Sequence, residues 1–236
     1  MHWNSNHSGI YHKYLQENDF VFTQLKSCSL AKALSQSKKL FGILDKEMGE
    51  LKIPANDRYR LSTALFHQVF EHHRAICYLL KNGLVGSAIA LVRSIFESTV
   101  RGIWLSQCAT DQEVDAFKKD TRRKDFSTLI TEIEARFASD NSALSRIKNG
   151  QWKAMCSFTH SGYLQAVRRI TPQDIGPNYS NEEQIITLTF ADYCVSLAAI
   201  GVCALAEQDA AAIRIADTFE NICSSGKPVN NLGSGS

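Results

Sequence analysis

Arg93, Glu97 and Arg101 recur at four-residue intervals inside Ser87 to Leu105, SAIALVRSIFESTVRGIWL, a segment that is otherwise apolar or small. Positions four apart on a helix are separated by only about 40° around its axis, so these side chains would share one side and Glu97 could pair with either arginine. Trp104 extends the same face. An unpaired buried charge costs roughly several kcal/mol, so such groups either pair for architecture or are kept for chemistry. The chemistry they suit is anion recognition, because a guanidinium offers a planar fork of donors that matches phosphate, with Glu97 orienting Arg93. The architectural alternative is an ion pair that holds helix register. A second polar intrusion is Gln151 to Arg169, QWKAMCSFTHSGYLQAVRR, where His160 stands among Ser157, Thr159 and Ser161. On a helix Lys153, Ser157 and His160 would share a face, and Gly162 would keep the neighbouring surface open. His160 reads either as a general acid/base, since free imidazole titrates near about 6.5, or as a histidine satisfied by a carboxylate or carbonyl.

Other constellations carry less. His67, Glu71, His72 and His73 crowd one stretch without the H-E-x-x-H or E-x-x-H spacing of helical metal sites, so they read as a solvated face plus one core-facing residue, His73. Lys118, Lys119, Arg122, Arg123 and Lys124, with Arg168 and Arg169 beyond His160, form the one basic cluster. It is either a solvated face or a small footprint for an RNA backbone. Walker, nucleophile-elbow and zinc spacings are missing, and no metal or cofactor is expected.

The elements that must carry these residues are helices. Of four prolines only Pro54 falls between Leu30 and Ile170. A first helix is expected over about Leu30 to Met48. A second follows a loop at Lys52 to Asp57, with Tyr59, Ser62, Phe66, Val69, His73, Ile76 and Leu80 as its core stripe and Asn82-Gly83 as its stop. The third, Leu84 to about Gln107, is apolar nearly all round, including Leu84, Leu91, Val92, Ile95, Phe96, Ile103 and Leu105, and so belongs in the middle of a bundle. Thr110 to Glu113 reads as a capping box opening a fourth. Thr121 to Asp125 is a hinge to a fifth over Ser127 to Phe137, and a further helix or turn spans Ala143 to Lys148 and reaches Asn149-Gly150. A loop with two prolines, Ile170 to Tyr179, precedes a long helix from Asn181 through Gln208, continued or kinked toward Asn221. The organisation is therefore all-α, with a central apolar helix. Residues 1–29 form an N-terminal extension, residues 30–222 the bundle, and residues 223–236 a Gly- and Ser-rich disordered tail.

Composition agrees. The 236 residues are 44% hydrophobic and 21% charged with a formal net charge of +2, so no global field implies nucleic acid or an acidic membrane. No secretory pattern opens the chain, and seven cysteines without C-x-x-C spacing suit reduced, mostly buried thiols, which together predict a cytoplasmic protein. The longest uncharged apolar run, Tyr193 to Ala206, is shorter than the roughly 20 residues of a membrane span and reads as a buried helix.

GSAIALVRSIFESTVRGIWL, WKAMCSFTHSG and IGPNYSNEE resemble an uncharacterised family of bacterial all-α proteins, over roughly Asp57 to Gln208. More distantly the layout is similar to the HEPN superfamily of helical bundles, many of them metal-independent RNases or toxins of phage defence. That resemblance implies a homodimer, an RNA substrate and a neighbouring antitoxin or defence-system partner. The superfamily's hallmark is an arginine four to six residues before a histidine on one helix. Here the nearest upstream base is Lys153, so Arg93 would have to supply the guanidinium from another helix. His160-Ser161-Gly162-Tyr163 also approximates a His-x-Tyr variant found beside nucleotidyltransferase antitoxins. The implied site has His160 as base, Arg93 as fixed cation and Glu97 as its support, with Arg101, Lys153, Ser157, Arg168 and Arg169 around the phosphate. The rival readings are a non-catalytic interaction or regulatory module and a small-ligand or nucleotide sensor.

Overall fold

Local capping chemistry sets most helix boundaries. The structure, a computed structural model, describes residues 29–121, 124–137 and 142–224. Helix α1 (Leu30–Met48) starts where Ser29 Oγ accepts from the Lys32 amide, and α2 (Asp57–Lys81) where Asn56 Oδ1 accepts from Tyr59 N at 2.9 Å. Gly83, at φ +73°, ends α2, and the Leu84 amide reaches back to Leu79 O at 2.8 Å. A left-handed residue is what that backward bond requires. Helix α3 (Val85–Gln107) returns alongside α2. Capping boxes open α4 (Asp111–Lys118; Thr110 with Glu113) and α8 (Asn181–Leu205; Ser180 with Glu183). Between them lie α5 (Phe126–Arg136), α6 (Ala143–Thr159) and the single turn α7 (Tyr163–Val167), and α9 (Asp209–Ser224) closes the bundle. Among the described residues the only non-helical pairing is an isolated bridge between Ile170 and Ile175.

Helices α2 and α3 form the most extensively packed pair. They fit tightly at Gly102, where an added Cβ would lie 2.5 Å from Phe66 Cε1 of the buried α2 stripe. Helix α8 runs against α1, α2, α3 and α9, while α5 and α6 cover the opposite flank of α3. The most enclosed helix is thus α8, buried at every position from Thr187 to Leu205. Helix α3 is central but keeps one open side, and Leu84 at its start is 50% exposed rather than part of the core. Helix α8 has the length and hydropathy of a membrane span, yet 94% of its apolar window is buried inside the bundle.

Three boundaries differ from expectation. Asn149-Gly150 does not stop a helix: α6 continues through it to Thr159, because Ile147, Met155 and Phe158 keep one buried face in register across the pair. The C-terminal helix breaks at Ala206–Gln208, where Glu207 takes φ +57° and turns the chain so that α9 packs back on α8 and α1. Helix α9 also runs past Asn221 to Ser224. The expected N-terminal extension and the tail from residue 225 lie outside the described residues.

Candidate functional site

Arg93 is the hub of the polar cluster on the open side of α3. Its Nε donates to Glu97 Oε1 at 2.7 Å, while Nη1 donates to His160 Nε2 at 2.6 Å and to Cys156 Sγ at 3.6 Å. Its guanidinium carbon lies 4.7 Å from the centre of the Trp152 ring. Trp152 stacks on Phe126 at 4.9 Å and 19°, and Arg101 lies 5.8 Å from the Phe126 ring. Glu97 Oε2 completes the ladder 3.6 Å from Arg101 Nη2. Two cations therefore sandwich two stacked aromatic rings, with one carboxylate bridging the cations, which pins α5 and α6 onto α3. The side chains of Arg93, Glu97 and Arg101 are 22%, 24% and 23% exposed, so the charges are only partly desolvated. Trp104 continues this face past Arg101, the two lining one cavity. It is buried in the next niche, donating Nε1–H to Glu132 at 2.6 Å beneath Lys124, and Trp152 takes the stacking role instead.

His160 caps the C-terminus of α6, which explains its exposure. Ser161 adopts φ +54°, and the Gly162 amide returns to Ser157 O at 2.6 Å, a left-handed stop that turns the chain into α7. Ser157 Oγ accepts the Leu164 amide at 3.0 Å, so Ser157 helps build this turn while its hydroxyl proton remains a donor. Gly162 packs against Ser157 rather than opening the surface: an added Cβ would lie 2.6 Å from Ser157 Oγ. Thr159 Oγ1 donates to Met155 O at 2.9 Å and lies 3.3 Å from Ala90 O, tying the end of α6 to α3. Because guanidinium nitrogens only donate, the Arg93 contact makes His160 Nε2 the acceptor and puts the ring proton on Nδ1. The site so assembled is an exposed imidazole beside a guanidinium whose other edge is held by a carboxylate.

The remaining sequence candidates scatter. Lys153 is exposed on α6 without an ion pair among the described residues. Arg168 pairs with Glu183 and braces the loop before α8. Arg169 and Tyr179 lie over Gly86 on α3, where an added Cβ would be 3.1 Å from Arg169 Nη2 and 2.7 Å from Tyr179 Oη. Two lysines of the basic cluster are paired: Lys118 with Asp57 at 2.6 Å, and Lys124 with Glu113 and Glu132 at 2.5 and 2.6 Å. Lys124 is held above the usual lysine range by those two carboxylates, which outweigh its burial. Arg122 and Arg123 lie outside the described residues. Among the described residues no three His, Cys, Asp or Glu side chains group as a metal site.

A second polar cluster lies in the core. His73 is 1% exposed and its Nε2 lies 2.7 Å from Asp192 Oδ1, which also accepts from Ser37 Oγ at 2.5 Å. Cys77 Sγ approaches Nε2 at 3.8 Å, and Phe41 stacks on the imidazole at 5.5 Å and 5°. Burial opposes the imidazolium, but the Asp192 carboxylate outweighs it and His73 is pushed up to about 10. The trio is not a nucleophile relay, because the nitrogen that would take the Ser37 proton is already bound to Asp192, and Ser37 donates to the same carboxylate. His73 was legible as a core-facing residue. Its partner was signalled only by Asp192 being a lone carboxylate in the apolar stretch that forms α8.

A family profile matches residues 66–225, described as a family of unknown function, DUF6988. The chain belongs to the DUF6988 family. The match covers α3, α6, α8 and most of α2, so the Arg93–His160 cluster and the His73–Asp192 pair both lie within the DUF6988 region. No curated protein and no solved structure matches the chain.

Proposed function

We propose that this DUF6988 protein is a metal-independent ribonuclease of the HEPN type, a cytoplasmic effector of bacterial toxin–antitoxin or antiviral defence. The observation that carries the reading is the 2.6 Å contact between Arg93 Nη1 and His160 Nε2, made across two helices at a solvent-facing position. It supplies from α3 the guanidinium that α6 lacks. An incoming phosphate draws Nη1 away from His160, while Nε stays anchored on Glu97. The freed Nε2 lone pair then takes the proton of a ribose 2′-hydroxyl, and the 2′-oxygen attacks the adjacent phosphorus. Arg93 neutralises charge growing on the phosphate oxygens, and the 5′-oxygen departs with a proton from solvent. The products are a 2′,3′-cyclic phosphate and a 5′-hydroxyl. Lys153, Arg101, Arg168 and Arg169 would be the cations that steer the backbone.

The apolar side chains next to His160 favour a homodimer. Tyr163 and Ile175 are 77% and 73% exposed, with Leu164 and Ile170 beside them on α7 and the following loop. A twofold contact there would bring two His160 residues to one cleft. One observation favours the rival reading of a non-catalytic interaction module: Glu97, Trp152 and Phe126 already satisfy both arginines, as a purely structural clamp would require.

Incubation of purified protein with end-labelled single-stranded RNA in chelator separates the two. Cleavage leaving cyclic phosphate ends, lost in His160→Ala and Arg93→Gln with melting temperature retained for His160→Ala, is the expected result. A wild type that neither cleaves RNA nor harms its host, together with an unfolded His160→Ala, would establish the interaction module instead.

A further inference from the structure

Helices α1 and α2 line a groove whose outer residues Lys38, Arg74, Tyr78 and Lys81 are exposed and whose floor, Ser37 and His73, is buried. Leu34, Ser37, Lys38 and Phe41 on α1 face Cys77, Tyr78, Arg74 and Lys81 on α2, and His73 forms the inner wall. The two helices meet only lightly, since α1 packs chiefly on α8 and α9. The space left between them has a volume of about 320 Å³, at the small end of ligand pockets. Its walls are apolar, with Phe41 held in place by stacking on His73 and Tyr78 left 66% exposed. Its rim is cationic. Lys38, Arg74 and Lys81 are exposed, and none is paired with a carboxylate of the described residues.

We propose that this groove binds a small amphipathic anion, its apolar body against Leu34, Phe41 and Tyr78 and its head between Lys38, Arg74 and Lys81. Charge complementarity selects the sign of the head, since three unpaired cations around an apolar slot would repel an amphipathic amine of the same shape. The volume limits the size: a space of about 320 Å³ suits a single short alkyl chain better than a two-tailed lipid. The inner wall is rigid because His73 is fixed by Asp192 and Phe41, so the groove is formed before the ligand arrives. This site shares no residue with the Arg93–His160 cluster.

Octanoate is a suitable probe, with octanol and octylamine as isosteric controls, using the full-length chain. Calorimetry should show octanoate binding that weakens as salt is raised, octanol binding more weakly, and octylamine not binding. Lys38→Gln combined with Arg74→Gln, both at exposed positions, should weaken octanoate about tenfold or more while leaving octanol unchanged. Cys77 lines the groove, so saturating octanoate should slow its alkylation by iodoacetamide, read by peptide mass spectrometry, and leave Cys156 unaffected. Equal binding of octanoate and octylamine, an undiminished affinity in the double variant, or unprotected Cys77 at saturation would each overturn the proposal. So would co-sedimentation with phosphatidylglycerol vesicles that octanoate does not displace, which would make the groove a membrane contact.

Discussion

Raising the pH should destabilise this protein through His73. A histidine whose folded pKa lies above its unfolded value contributes stability that is complete below about 6.5 and disappears as pH climbs through the folded value, here about 10. That interval, at about 1.36 kcal/mol per pH unit, sets a ceiling of about 5 kcal/mol. The structure lowers it. In the imidazolium Nδ1 carries a proton, yet Nδ1 is buried without an acceptor among the described residues, an omission that costs about 1–3 kcal/mol. Of that ceiling about 4 kcal/mol falls between neutral pH and about pH 10, so the expected loss over that window is about 1–3 kcal/mol. The groups facing the imidazole are Asp192 from α8, Ser37 from α1 and Cys77 on α2 itself. Other groups titrate in the same window: burial pushes the Cys108 and Cys203 thiols up to about 12, and they too penalise folding at alkaline pH. Urea denaturation of wild type and Asp192→Asn across the range isolates the pair, because the thiol contribution is common to both. The wild-type slope should be steeper. Should Asp192→Asn fail to fold, the imidazole proton resonance of His73, followed by NMR, should stay in its protonated position until well above neutrality. A midpoint at or below about 6.5, or parallel slopes in the two proteins, would show that Asp192 does not hold His73 charged.

Four further outcomes are expected. Glu97→Ala should cost about 1–3 kcal/mol in thermal denaturation, not the 3–5 of a fully buried pair, because solvent still reaches the Arg93–Glu97–Arg101 ladder; a change below about 0.5 would mean the ladder is not structural. His160→Ala should leave the melting temperature within about 1–2 °C of wild type, since His160 is exposed and its backbone makes the cap, and it should abolish any RNA cleavage in a gel assay. Gly102→Ala should destabilise by about 1–3 kcal/mol in the same melts, as Cβ meets the Phe66 ring at 2.5 Å; an unchanged stability would show that α2 and α3 separate freely. Light scattering at tens of micromolar should give a dimer mass that Tyr163→Glu with Ile175→Glu reduces to a monomer, and a monomeric wild type would remove the shared cleft.

Helix existence was readable because its causes are local. Ser29, Asn56, Thr110 and Ser180 cap the helices they precede, Asn82-Gly83 ends α2, and the Tyr59 to Leu80 stripe is the buried face of α2 almost residue for residue. The polar intrusions were also readable, since charge at helical spacing in an apolar segment stands out before any fold is known. Three-dimensional packing decided everything that depends on distance between segments. It brought Arg93 and His160, 67 positions apart, within 2.6 Å, and it joined His73 to Asp192 across 119. It carried α6 through Asn149-Gly150, where burial of one continuous face outweighed two weak helix formers. It also paired Lys118 with Asp57 and Lys124 with Glu113 and Glu132, because a charge's partner is set by which helix packs beside it as well as by its neighbours in the chain.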